Sequence, residues 1–166
     1  MTKNYELNLN TTGGFPALAI SFPKIIALVI AISYGGGLWV NIQHELEGAR
    51  EVNALPPVLH WLRDSSLAMI SIFFGVLMAL AFSRWLIQRF NGRLSRPAQL
   101  ILITICVGVF SGAAFAIGIP AHGYLFGGHV EEGVDLIVHM LNNGYLSALI
   151  NIGISALMIF VMDGLE

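Results

Sequence analysis

Four stretches of this chain carry no charged residue: Ile25–Ile42 over 18 residues, Ser65–Ser83 over 19, Pro97–Ala121 over 25 and Leu136–Met162 over 27. A helix crossing the hydrocarbon core of a bilayer needs about 20 predominantly apolar residues. In lipid, every backbone N–H and C=O must find its partner inside the protein, so runs of this length predict helices. Only 11% of the residues are charged, where a soluble domain carries about 25%. The expectation is an all-α protein, a four-transmembrane-helix up-down bundle over residues 25–163, preceded by a cytoplasmic segment 1–24 that either lies along the inner membrane interface or forms a partly ordered tail. The first run is interrupted by Gly35-Gly36-Gly37, which reads as a local bend or as close helix packing through small residues. That run is too long for a signal peptide and has no small-x-small cleavage site after it, so a retained helix is expected.

Charge predicts the orientation. Arg84, Arg89, Arg93 and Arg96 fill the connection between the second and third runs with no acid among them. Arginine and lysine clustered in a short loop mark the cytoplasmic side. Both termini are then cytoplasmic, in agreement with Lys3 and Lys24 ahead of the first run, and the protein is expected in a bacterial inner membrane. The inner side carries +3 and the outer side −5, a distribution that would concentrate cations outside. One reading of the final Leu165-Glu166 is a cloning scar, with the natural chain continuing past it.

On that topology all five histidines fall on the outer side, together with seven of the ten acids. His44 closes the first helix beside Glu45. His60 opens the second after Pro56-Pro57, His122 ends the third, and His129 lies in the glycine-rich turn 123–133. Asp135 and His139 enter the fourth. Helix bundles build metal sites from side chains on facing helices. His60/Asp64 and Asp135/His139 are each four apart, hence on one helical face, where two groups can share a metal or a carboxylate can orient a ligating imidazole. The candidate metal residues are therefore His60, Asp64, His139, Asp135, His44 and His122. Against this stand ordinary roles: an interfacial histidine bonded among headgroups, or an acid favoured by a helix N-terminus. For His129 the ordinary role is preferred. Imidazole with carboxylate suits copper(II), zinc, nickel or iron, and copper is the first expectation, zinc the second. Met69 and Met140 near this end read mainly as core filler.

Elsewhere the polar groups are sparse. His139, Asn143, Ser147, Asn151 and Ser155 step along the fourth run at intervals of four, as a proton or ion route or, more commonly, as interhelical hydrogen bonding. Gly108 and Gly112 form a small-xxx-small pair, most simply a packing face. Trp39, Trp61 and Trp85 near run ends read as interfacial anchors. Cys106, the single cysteine, excludes an internal disulfide. The chain has no phosphate loop, nucleophile elbow, Cys-x-x-Cys or basic aromatic patch, so soluble enzyme chemistry and nucleic-acid binding are disfavoured.

The segment Leu59-His60-Trp61-Leu62-Arg63-Asp64-Ser65-Ser66-Leu67-Ala68, together with four spans and histidines grouped outside, resembles the small four-helix membrane modules fused to bacterial multicopper oxidases and copper nitrite reductases. The resemblance implies a membrane partner for an extracytoplasmic copper protein, with His60 and Asp64 as the motif residues. This chain departs from it in having no cupredoxin portion. The functional expectation is transition-metal binding, with copper first, for delivery, sensing or electron transfer, more in the manner of a binding protein than of an enzyme. The rivals are a b-type haem or quinone electron-transfer subunit and a non-catalytic structural or transporter subunit, either of them open to homo-oligomers.

Overall fold

A computed structural model describes residues 22–46, 56–90, 93–126 and 133–164. All regular structure among these residues is helical: α1 (Phe22–Leu46), α2 (Pro57–Arg89), α3 (Arg96–Phe126) and α4 (Gly133–Gly164). Each helix is long and apolar enough to cross a membrane. At 1.5 Å per residue the 33 residues of α2 extend about 50 Å, well beyond a hydrocarbon core of about 30 Å, so its end turns reach the headgroup layers. Pro57 occupies the first turn of α2, where a missing N–H costs nothing, and the His60 N–H donates to the Pro56 carbonyl at 3.0 Å. Gly133 opens α4 with φ of 64°, a left-handed conformation that glycine adopts without strain.

The helices pack in a ring. The α3–α4 interface is the most extensive, followed by α2–α3 and α1–α2, and the α1–α4 seam is the slightest. Glycines set these distances. A methyl group at Gly112 would lie 2.6 Å from the Ala148 nitrogen, and one at Gly108 would collide with Ile152. At Gly144 it would meet Ala116. The pairs 108/152, 112/148 and 116/144 advance in opposite directions along α3 and α4, and the small-xxx-small pair predicted as a packing face lies on this seam. Gly75 likewise admits the Phe110 carbonyl and Ala114 of α3.

The three consecutive glycines do not break α1, which runs unbroken through them. Gly35 faces Ile154 and Gly36 faces Asn151, both on α4, while Gly37 faces Ser65 and Trp61 on α2. Of the two alternatives for this motif, close packing is the one realised.

Burial is distributed as lipid demands. Ile70, Phe74, Met78, Ile101, Ile117, Leu141 and Phe160 face outward. The interior holds an apolar cluster around Leu28, Ile32, Ile72, Val76 and Val107, and beside it the buried polar residues Ser33, Ser65, Ser111, Ser147, Asn151 and Ser155. Lipid tails are as apolar as leucine, so large side chains gain little by turning inward, and small residues and hydrogen bonds hold the helices together.

Candidate functional site

The six candidate metal residues fall in the last turns of α1 and α3 and the opening turns of α2 and α4. For His44, His122 and His139 the structure describes the helical backbone but not the side chain, and His129 lies outside the described residues. Helix α3 continues past Pro120 to Phe126, so His122 sits within its final turns.

The His60/Asp64 pair is formed. His60 Nδ1 lies 3.2 Å from Asp64 Oδ2, with both side chains partly exposed. The other carboxylate oxygen, Oδ1, accepts from Arg63 Nε at 2.8 Å. Asp64 is thus engaged on both oxygens. A carboxylate beside one ring nitrogen is how outer-shell carboxylates orient ligating histidines. With Arg63 on its second oxygen, Asp64 is better arranged to orient His60 than to ligate a metal itself. Asp135 is exposed in the first turn of α4. Among the described residues no three of His, Cys, Asp or Glu converge.

The end of α2 that bears His60 is fixed to α1 by its neighbour. Trp61 Nε1–H donates to the Tyr34 carbonyl at 2.9 Å, and the two rings meet edge to face at 5.6 Å. Tyr34 Oη and Ser66 Oγ are 2.8 Å apart, and Ser66 Oγ donates to the Leu62 carbonyl at 2.6 Å. Trp61 is therefore a packing residue, half-buried between helices, whereas Trp39 and Trp85 are exposed as interfacial anchors should be. The sequence showed a tryptophan near a run end, but its turn toward α1 depends on the space left by Gly37.

The polar ladder of α4 points inward over Ser147, Asn151 and Ser155, all buried. Asn151 Nδ2–H donates to Ser111 Oγ of α3 at 3.0 Å, and Ser111 in turn donates to the Gly108 carbonyl. Among the described residues, four buried oxygens, Ser33 Oγ, Ser65 Oγ, Asn151 Oδ1 and Ser155 Oγ, find no hydrogen-bond partner. Two of them rest on glycine backbone of α1, Asn151 Oδ1 at Gly36 and Ser65 Oγ at Gly37. Close approaches of this kind favour weak Cα–H···O contacts. The Asn151–Ser111 bond joins the ladder to α3 at one rung.

The fold defines a membrane protein with four transmembrane-type helices. No family model, curated protein or solved structure matches the chain.

Proposed function

We propose that this protein is an up-down four-helix bundle of the bacterial inner membrane, with both termini cytoplasmic. On this reading its extracytoplasmic end binds a transition metal, copper before zinc, for delivery, sensing or electron transfer to an extracytoplasmic copper protein. The observation that carries the reading is the formed His60/Asp64 pair, with His60 Nδ1 3.2 Å from Asp64 Oδ2 at one end of the bundle. On this reading His44, His122, His139 and Asp135 join His60 and Asp64 in the ligand set from the other three helix ends. The arginines at the opposite ends of α2 and α3 supply the orientation.

Metal analysis of the protein purified in detergent tests this. Copper or zinc is expected near one equivalent, lost in His60→Ala and His139→Ala. In Asp64→Asn the affinity falls about 10- to 100-fold, the usual cost of removing an outer-shell partner. Absence of stoichiometric metal, with no response to these substitutions, refutes the proposal, and a Soret band in the absorption spectrum replaces it with the haem reading. A structural subunit is the second reading, supported by the Asn151–Ser111 bond, which spends the polar ladder on packing.

A further inference from the structure

The other end of the bundle carries a feature that topology alone does not explain. The four basic residues around the end of α2 and the start of α3, Arg84, Arg89, Arg93 and Arg96, are all arginines, and no acid occurs between residues 65 and 130. A charge bias would be met equally by lysine. Arginine differs in its planar fork, which binds phosphate through two parallel hydrogen bonds, and in its ability to lie on an aromatic face.

The second property is used here. The Arg89 guanidinium lies over the Trp85 ring, 5.4 Å from its centroid. Trp85 stacks on Phe82 with centroids 5.6 Å apart and planes inclined by 26°. Phe82 then meets Phe110 of α3 at 5.4 Å. The result is an aromatic ladder that starts at the α2–α3 seam and ends under a guanidinium. Phe82 and Trp85 are 40% and 50% exposed, so the ladder forms part of the outer surface and not of the core. Seven residues separate Phe82 from Arg89, about 10 Å along the helix. Beyond Arg89 the chain turns, the Arg93 N–H donating to the Phe90 carbonyl at 2.9 Å, which returns the exposed Arg93 to the end of α2.

A cationic head above a strip of apolar rings is complementary to a molecule with a phosphate at one end and a hydrocarbon chain at the other. We propose that this end of the bundle is a binding site for one anionic glycerophospholipid, its phosphate held by Arg89 and Arg93 and an acyl chain laid against Trp85, Phe82 and Phe110. Basic pockets at the cytoplasmic ends of spanning helices hold anionic headgroups in this way. The site is independent of any metal at the other end.

The test uses the whole protein in detergent, with bound lipid read by native mass spectrometry as phosphatidylglycerol or phosphatidylcholine of matched chains is added. One phosphatidylglycerol is expected to bind in preference to phosphatidylcholine. Arg89→Ala and Arg93→Ala should each weaken it about fivefold, the equivalent of ~1 kcal/mol per basic residue near an anionic lipid. Trp85→Leu, which keeps all four arginines, reads the apolar half and should weaken binding about two- to fivefold. It also serves if the arginine variants do not fold. Equal retention of both lipids, or unchanged affinity in Trp85→Leu, overturns the proposal. So does full displacement of the lipid by inorganic phosphate, which would show a site for a free anion.

Discussion

Replacing Gly112 by alanine tests the claim that backbone proximity, not side-chain burial, holds this bundle together. The new methyl would lie 2.6 Å from the Ala148 nitrogen, 2.7 Å from its Cα and 2.8 Å from its Cβ. Carbon contacts become favourable only at about 3.5 Å or more, and two of the three atoms are backbone, so no rotamer change relieves the clash. Helix α4 must retreat by about 0.8 Å. That retreat stretches the Asn151–Ser111 hydrogen bond from 3.0 Å to about 3.8 Å, outside hydrogen-bonding range. Overpacking costs about 1–3 kcal/mol, and an interhelical bond in a membrane is worth about 0.6 kcal/mol. Alanine returns about 1 kcal/mol of helix propensity. The net expectation is a loss of about 0.6–2.6 kcal/mol. Gly153 is the control, because nothing lies within 4 Å of a methyl placed there, and Gly153→Ala should gain up to about 1 kcal/mol. Unfolding of both variants by SDS in mixed micelles, followed by circular dichroism, measures the difference. If Gly112→Ala falls within about 0.5 kcal/mol of Gly153→Ala, the packing argument fails.

Ser155→Ala removes a buried hydroxyl that has no partner, so it should be neutral or stabilising by up to about 1 kcal/mol. A loss in the same SDS titration would show that Ser155 is bonded after all. Trp61→Phe keeps the edge-to-face contact with Tyr34 but loses the 2.9 Å hydrogen bond to its carbonyl. It should cost about 1 kcal/mol, and an unchanged midpoint would return Trp61 to the role of a membrane-belt residue.

The four helices were legible in the sequence because absence of charge over 18 or more residues is a property of the chain itself. Their ends were less so. Helix α2 begins at Pro57, eight residues before its uncharged run, because helical hydrogen bonding continues through His60, Arg63 and Asp64 once the backbone has left the hydrocarbon. The His60/Asp64 contact was also legible, since positions four apart meet on any helix. The second hold on Asp64 was not, because Arg63 is its immediate neighbour and reaches it only through a particular rotamer. Contacts between distant elements were out of reach for the same reason. The Asn151–Ser111 bond joins residues 40 apart and exists only because Gly108 and Gly112 let the helices close. The aromatic ladder beneath Arg89 likewise needs Phe110 from another helix.

The triple glycine of α1 has a consequence for the order in which the molecule can be assembled. Its surface is a seat without a side chain, shaped to receive Ile154 and Asn151 from α4 and Ser65 and Trp61 from α2. Ribosomal synthesis delivers α1 before α4, with more than a hundred residues between Gly36 and Asn151. Until the fourth helix arrives, half of that seat has nothing but lipid to fill it. Helix α1 therefore waits for α4 before it is fully docked, and chains cut short before α4 should leave α1 inserted but unanchored on that side.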